Sequence, residues 1–509
     1  MTDARIDGRD ICVEEGTTIL EAANRLGIKI PSLCHHPSLR SGGSCGVCLV
    51  EVEGRDGFVT ACTETVKQGI RVRTDTDGVL RARSDAIDLL MLRHPNECHS
   101  CERTGECDLA RLYFDNSLRC ARDESPARGE TPVSIGPRVH MRSDRCIACG
   151  RCVSFTNDVV GSREIEIVRE GGYARMRAMP HLRLANPYSL CTVDLCPTGA
   201  LTPSELRLTS SAWRLTSAPA ICVGCSTGCS AILDHDGERA VRLRPAHGCS
   251  SVPGMCDEGR ASVRELCESA RALAPLVLED CRMRGTTWQD AERRIAGMFR
   301  GSGVEEVAIV LSARASMEEN LAFLKLGREA FRSPRFFYSG RDADPSFEDG
   351  ILRHSDRNPN AAGVALMAEA GLSGLPRGSG LIVLDGLATR DLITAVEARP
   401  SWAILVTSAD IGMQRWADVV LPKAAHFEQE GTFLTAGGRM KRVDEALEPA
   451  GESKTAWEIA GTIARALGRA FDGSSAHDMR VWGSWSVAGL GGFDELNATH
   501  EGVDWSITR

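Results

Sequence analysis

The amino-terminal part of the chain combines strand and helix patterns with glycine-rich loops. Alternating apolar residues predict strands at 5–6 and 11–13, joined into a hairpin by an Asp-Gly turn. A threonine N-cap and helically spaced apolar residues predict a helix after this hairpin, and a second amphipathic helix covers 79–92. Because Pro95 cannot continue the second helix, that helix should end near His94.

The pattern changes after about residue 263. Short apolar runs typical of buried strands alternate with longer runs that have the apolar spacing of helices. This alternation predicts a doubly wound α/β domain. The predicted strands are 307–311, 381–384 and 403–406, and the predicted helices are 288–299, 318–331 and 455–467. No clear periodicity is visible after Phe471.

Length and composition narrow the class of protein. A chain of 509 residues is too long for one core and suggests three or four domains. The net charge of -9 does not indicate a nucleic-acid-binding surface, and the longest apolar stretches are too short to span a bilayer. Since the first residues lack the apolar core of a signal peptide, we expect a cytoplasmic protein with reduced thiols. Its 21 cysteines then indicate metal binding rather than disulfides.

Candidate metal ligands fall into four sets, each with the four ligands that one iron–sulfur cluster needs. The first set is Cys34, Cys45, Cys48 and Cys62; the second is His94, Cys98, Cys101 and Cys107; the third is Cys146, Cys149, Cys152 and Cys196; the fourth is Cys222, Cys225, Cys229 and Cys256.

The first and third sets have the loops of two known kinds of cluster site. In the first set, the Gly-Gly-Ser-Cys-Gly segment at 42–46 lets backbone amides approach cluster sulfides, which predicts a [2Fe-2S] site. Loosely grouped core cysteines are the alternative, and the hairpin, helix and loop together argue against it. The third set is ferredoxin-like and predicts one [4Fe-4S] cluster, because Thr156 stands where a two-cluster ferredoxin has a cysteine. Cys191 is then a spare, structural cysteine.

The second set is distinguished by its histidine. A neutral imidazole in place of a thiolate makes a cluster less negative and shifts its reduction potential. One histidine and three cysteines also suit tetrahedral zinc, so this set alone leaves zinc open. Its place between iron–sulfur sets favours [4Fe-4S].

In the fourth set the close triplet is specific, but Cys249 competes with Cys256 as the distant ligand.

In this order and spacing, the four sets resemble those of the G subunit of bacterial respiratory complex I (NADH-quinone oxidoreductase). The resemblance covers about the first 260 residues, and His94 with its three cysteines is the most specific part. It implies that Cys256 completes the fourth set. It therefore implies one [2Fe-2S] cluster and three [4Fe-4S] clusters on this chain.

The resemblance also implies a role. Electrons would come from a flavin- and NADH-binding partner subunit, pass along the clusters and leave through other peripheral-arm iron–sulfur subunits toward quinone. The main path would use the second and third clusters, with the first as a side site. The chain would be part of an enzyme without holding a complete active site. It would lie at the cytoplasmic face of the inner (plasma) membrane, attached only through partner subunits.

Three alternatives stay open from the sequence. The first is the diaphorase-linked subunit of a soluble NAD-coupled hydrogenase, which shares the same sets with variations. The second is a molybdenum oxidoreductase of the formate-dehydrogenase type. The third is a scaffold stapled by zinc and without enzymatic activity.

The carboxy-terminal half resembles a shortened molybdopterin-oxidoreductase fold. Segments 419–422, 430–433 and 438–439 match a recurring part of that fold. The segment Cys256-Asp257-Glu258-Gly259 has an acid where molybdopterin enzymes usually have a lysine between cluster and pterin, and the region is short. We therefore expect no molybdopterin.

The predicted fold class is a multidomain chain of α+β and α/β type. A [2Fe-2S] ferredoxin-like (β-grasp) domain precedes a His-Cys [4Fe-4S] domain, a ferredoxin-like [4Fe-4S] domain, a [4Fe-4S] domain of molybdopterin-oxidoreductase type, and a truncated molybdopterin-oxidoreductase-like α/β domain. Their predicted bounds are, in the same order, 1–78, 79–118, 138–215, 216–262 and 263–509.

Overall fold

The computed structural model divides into two compact units. Unit 1 comprises 1–215 and 250–257, and unit 2 comprises 216–249 and 258–509. The described residues are 1–92, 94–116, 131–170, 173–204, 212–246, 254–269, 271–302, 306–372, 375, 378–385, 389–397, 400–409, 416–496, 498–499 and 501–505.

Unit 1 opens with a five-stranded sheet in the order β2-β1-β5-β3-β4. The predicted hairpin is confirmed as the antiparallel pair β1–β2, and β5 joins β1 in parallel. Helix α1 shares a core with this sheet, and its N-cap Thr18 forms a capping box with Glu21. The strands of unit 1 are β1 (Thr2–Ile6), β2 (Arg9–Val13), β3 (Leu49–Val52), β4 (Phe58–Thr60), β5 (Ile70–Arg73), β6 (Val133–Ser134), β7 (Val139–Met141), β8 (Ile165–Glu170), β9 (Tyr173–Ala178) and β10 (Leu201–Pro203).

The helices of unit 1 place the ligand loops of the second and third sets. Helix α2 ends just before Pro95, as the sequence predicts, and the loop after it leads to α3. A small sheet in the order β10-β7-β6 and the hairpin β8–β9 frame the third set. The helices are α1 (Ile19–Arg25), α2 (Asp77–Met91), α3 (Asp108–Asn116), α4 (Arg151–Ser154), which continues as a π-helical turn, and α5 (Cys191–Leu195).

Unit 2 is built around an eight-stranded sheet in the order β15-β14-β21-β20-β19-β16-β17-β18. Strands β16 to β21 run parallel within it and have apolar cores on both faces, which confirms the predicted α/β architecture. The remaining strands form the sheets β11-β12-β13 and β22-β23-β24.

The strands of unit 2 are β11 (Thr216–Ile221), β12 (Ser230–His235), β13 (Ala240–Pro245), β14 (Leu276–Glu279), β15 (Arg282–Gly285), β16 (Glu306–Ser312), β17 (Ser333–Ser339), β18 (Glu369–Ala370), β19 (Gly380–Leu384), β20 (Trp402–Thr407), β21 (Val419–Pro422), β22 (Gly431–Leu434), β23 (Arg439–Val443) and β24 (Val503–Asp504). The helices are α6 (Asp257–Glu268), whose first residue belongs to unit 1, α7 (Trp288–Ser302), α8 (Met317–Ala330), α9 (Ala361–Val364), α10 (Arg390–Glu397), α11 (Ala456–Ala466) and α12 (Ala476–Ser486).

One helix of unit 2 lies where the sequence shows no periodicity. Helix α12 begins at a capping box between Ser475 and Asp478 and packs against α8, where Gly483 meets Leu321. Its glycine, serine and tryptophan residues conceal the helical spacing, so only the cap marks it in the sequence. None of the described helices combines the length and apolarity needed to cross a membrane. The five predicted domains divide the chain more finely than the two units, and their bounds stay predictions.

Candidate metal centres

The four cysteines of the first set come together between α1 and the first sheet. All four are buried, at most 5% exposed, and all are free thiols. Cys48 Sγ lies 3.4 Å from Cys62 Sγ. Thiol hydrogen bonds from Cys45 and Cys62 hold the pKa of Cys34 below its ordinary value. A similar bond to Cys62 lowers the pKa of Cys48 to about 7. The same hydrogen bonds, together with burial, raise the pKa values of Cys45 and Cys62, so these two thiols need a positive counter-charge to ionise.

The third set lines one cavity. Cys146, Cys149, Cys152 and Cys196 all face one small cavity whose other walls are mostly apolar, including Ile167 and Met176. Burial is the main cause that raises the pKa of each of the first three thiols, that of Cys149 to about 12. Such thiols ionise only when a positive counter-charge is present. Iron ions supply that charge, so the cavity and its donors fit a [4Fe-4S] cluster.

The second set lies between the end of α2 and the start of α3. His94 is buried, and its amide donates to the Met91 carbonyl at 3.2 Å, so the ring follows directly from the last turn. Cys107 precedes α3, and the amide of Ala110 donates to its Sγ at 3.4 Å. Burial raises the pKa of Cys107 to about 11. An amide that already points at the sulfur suits a thiolate ligand.

Three cysteines of the fourth set, Cys222, Cys225 and Cys229, lie on a loop between β11 and β12. The amide of Cys222 donates to the Cys229 carbonyl at 2.9 Å, and the amide of Gly224 donates to Cys222 Sγ at 3.4 Å. These three cysteines belong to unit 2, whereas Cys256 belongs to unit 1. Cys249 lies outside the described residues. The fourth ligand of this set therefore stays a prediction.

Cys191 is buried apart from the third-set cavity. Its Sγ donates to the Met255 carbonyl at 3.2 Å, and Gly254 packs so closely against it that a Cβ there would stand 2.3 Å from the sulfur. This packing agrees with the structural role expected from the sequence. The described residues contain no group of three or more His, Cys, Asp or Glu side chains placed to hold a single metal ion. An iron–sulfur cluster distributes its ligands over several irons, so the cavity and the donors are the better test of fit.

The loop of the third set contacts those of both other sets in unit 1. Ser44 Oγ, beside Cys45, donates to the Ala148 carbonyl at 3.4 Å, between Cys146 and Cys149. On the other side, Cys107 Sγ lies 3.6 Å from the carbonyl oxygen of Pro197, the residue after Cys196. The third set is therefore in contact with both the first and the second.

A group of charges around the buried side chain of Arg145 joins the second and third sets. Arg145, which precedes Cys146, bonds to Glu102 at 2.7 Å and to Glu97 at 3.3 Å. Burial lowers the pKa of Arg145, but the hydrogen bond to Glu102 and the charge of Cys101 outweigh it, and the net shift is upward. The sequence alone gives no sign of this group, because the bonds join residues 43 and 48 positions apart.

Comparison with known proteins yields four family matches within the chain. They are a 2Fe-2S iron-sulfur cluster binding domain at 1–77, the NADH-ubiquinone oxidoreductase-G iron-sulfur binding region at 83–119, the ferredoxin-like domain of NADH-quinone oxidoreductase subunit 3 at 136–202, and molybdopterin oxidoreductase at 393–466. The first three matches coincide with the first three ligand sets.

Curated relatives point the same way. The G subunit of the NADH-quinone oxidoreductase of Streptomyces coelicolor is 28% identical over 505 residues, which are 94% of this chain and 59% of that protein. The alpha subunit of an NADPH-Fe(3+) oxidoreductase of Geobacter sulfurreducens is 31% identical over 332 residues, 65% of this chain and 39% of that protein. The chain thus spans less than two thirds of these relatives. The structure of an NAD+-reducing [NiFe]-hydrogenase matches 42% of this chain and 91% of the hydrogenase chain at 26% identity. The TM-score of 0.36 is too low to indicate a shared overall fold.

Proposed function

We propose that this chain, a relative of the NADH-quinone oxidoreductase G subunits, is an iron–sulfur subunit that carries electrons from a flavin-bearing partner toward quinone. The observation that supports this most is the contact of the third-set loop with the loops of the first and second sets. A single cluster needs no neighbour, whereas relay clusters must lie close together. Three sets in contact within one compact unit are the arrangement that a relay requires.

The proposed order along the relay is first, third and second. The first set reaches the third through Ser44 and Ala148, and the second reaches it through Cys107 and Pro197. The two contacts are of similar length, so the first cluster has as good a connection as the second. We therefore place the first cluster on the path, in contrast to the side site that the family resemblance alone implies.

The protein's own groups would hold and tune the clusters. When bound, an iron–sulfur cluster supplies a site that accepts and releases one electron at a time. The cysteines hold it as thiolates, His94 as a neutral ring, and amides such as that of Ala110 donate to the sulfurs. The buried first set and the apolar walls of the third exclude water. In the fourth set, Cys222, Cys225 and Cys229 would hold a further [4Fe-4S] cluster with Cys256.

Partners and location follow from the proposed role. A flavin- and NADH-binding subunit would supply the electrons, and other iron–sulfur subunits would receive them in a complex attached to the membrane through different chains. A hydrogenase or an NADPH-Fe(3+) oxidoreductase would use the same clusters with other partners. Unit 2 would hold no molybdopterin.

The test is to purify the intact complex from its host and analyse its subunits and its metals. We expect membrane subunits and a flavin subunit, with about 14 iron atoms on this chain and EPR signals of reduced [2Fe-2S] and [4Fe-4S] clusters. A nickel–iron catalytic subunit would support the hydrogenase instead. Zinc without visible absorbance or EPR signals would overturn the proposal, and molybdenum with pterin would overturn the part concerning unit 2.

Replacing His94 with cysteine should lower the midpoint potential of the second cluster by roughly 100 mV, because a thiolate adds negative charge where the imidazole has none. The measurement is a redox titration followed by EPR. His99, exposed in the same loop, provides the control: His99→Ala should leave the potential unchanged. An unchanged potential with full iron in His94→Cys would show that His94 is not a ligand.

A further inference from the structure

We propose that Arg145 is a positioning residue whose fixed positive charge raises the reduction potential of the cluster at the second set. This inference rests on the proposed function, since it requires a cluster there. The Arg145 side chain is 3% exposed and lies between the ligand loops of the second and third sets. Arginine stays protonated across the usable pH range, so its charge is permanent.

The guanidinium is held by groups from both loops. Nη1 donates to Glu102 Oε2 at 2.7 Å and to the Gly199 carbonyl at 3.5 Å, and Nη2 donates to Glu97 Oε2 at 3.3 Å. Glu97 and Glu102 each neighbour a cysteine of the second set, whereas Gly199 follows the last cysteine of the third. The carbonyl of Arg145 itself accepts from Thr198 at 2.9 Å. The side chain is therefore fixed in one place.

Gly199 allows the guanidinium of Arg145 to lie close to Cys101 Sγ. A Cβ at this position would stand 3.1 Å from Cys101 Sγ and 3.2 Å from Arg145 Nη1. The sulfur and the guanidinium therefore face each other across a residue with no side chain. A larger residue would have to displace one of them, so the glycine permits the approach.

The direction of the effect follows from charge. Reduction adds one electron to the cluster, and a nearby cation stabilises the more negative state, especially in an interior that screens charge weakly. Glu97 and Glu102 oppose this effect, but their side chains are 36% and 43% exposed, so water screens them more than it screens Arg145. The net effect of Arg145 is to favour electron arrival at the second cluster.

Arg142 is a matched control. Its side chain is also buried, 10% exposed, and it shares Glu97 at 3.0 Å, but its other partner is Asp144 at 2.7 Å. Arg142→Gln therefore breaks the same kind of ion pair without removing the charge opposite Cys101. A purely structural role for the charged group predicts similar effects of Arg142→Gln and Arg145→Gln.

The test is an EPR redox titration of the holo complex, with the second-cluster signal identified by its shift in His94→Cys. In Arg145→Gln we expect the ratio of reduced to oxidised second cluster at a fixed potential to fall about tenfold, equal to about 59 mV for one electron. Arg145→Lys should retain most of the wild-type potential, and Arg142→Gln should retain all of it. Glu102→Gln, which removes a negative charge and keeps Arg145, should raise the potential.

Each outcome has a distinct meaning. A wild-type chain without iron at the second set contradicts the proposed function. Full iron in Arg145→Gln with an unchanged potential overturns the role of Arg145 alone. If Arg145→Gln loses the cluster, the potential of the second cluster cannot be measured in that variant, and Glu102→Gln becomes the test. An unchanged or lowered potential in Glu102→Gln also overturns the inference. Equal shifts in Arg142→Gln and Arg145→Gln would do the same.

Discussion

Cys196→Ser should remove about four iron atoms per chain and stop NADH from reducing the second cluster. Cys196 is one of four cysteines that line the third-set cavity, and the hydroxyl of serine is a much poorer ligand for iron than a thiolate. Without the third cluster, the loops that link the first and second sets remain, but no redox centre lies between them. We therefore expect electrons to stop at the first cluster.

The measurements are iron per chain and rapid-freeze EPR after mixing with NADH. The EPR signal of the reduced first cluster should appear at the normal rate, whereas the second cluster should stay oxidised and give no such signal. Cys191→Ser is the control: this cysteine is also buried, lies five positions earlier, and bonds to the Met255 carbonyl, which a hydroxyl can also do. Its iron content should stay at the wild-type level. Full iron in Cys196→Ser would exclude Cys196 as a ligand, and normal reduction of the second cluster would contradict the proposed order.

The sequence predicts the structural features that are formed by residues close together in the chain. The hairpin at β1–β2 and the end of α2 before Pro95 depend on residues a few positions apart, so both are visible in the chain alone and are confirmed. The ligand triplets have equally short spacing, but their role as ligands stays a prediction. The parallel strands of unit 2 are visible for the same reason, as continuous apolar runs.

What the sequence does not predict depends on contacts between distant residues. The position of Arg145 against Gly199 joins residues 54 apart, and the contact of Ser44 with Ala148, on which the relay order depends, joins residues 104 apart. A side chain of fixed charge looks the same in the sequence whether it faces solvent or a cluster ligand. Three-dimensional packing decides which of the chain's many arginines tunes a potential.

Helix α12 illustrates the same limit and leads to a second prediction. Arg480→Ala should lower the free energy of unfolding of unit 2 by about 3–5 kcal/mol at pH 8, because it leaves a buried carboxylate without its cation. That carboxylate is Glu318, which is fully buried and accepts from Arg480 Nη1 at 2.9 Å. Thr432 donates to it from both its amide and its hydroxyl at 2.7 Å, so the carboxylate cannot turn toward water.

The pH dependence tests this cause. Burial raises the pKa of Glu318, although Arg480 and Thr432 oppose the rise. The folded state therefore binds this proton more tightly than the unfolded state, and stability falls as pH rises through the raised value. Removing Arg480 raises the pKa further, so the loss should be largest at pH 8 and smaller at pH 5, where protonation removes the unpaired charge.

Urea unfolding followed by circular dichroism at the two pH values measures the difference. Arg328→Ala is the control, because Arg328 bonds to the Ser486 carbonyl at the end of the same helix but is exposed; we expect a loss of about 0.5 kcal/mol or less at both pH values. An equal loss for Arg480→Ala at pH 5 and pH 8 would show that lost packing, rather than the unpaired charge of Glu318, destabilises the variant. A loss that shrinks on acidification means that a buried ion pair, invisible in the sequence, holds α12 against α8.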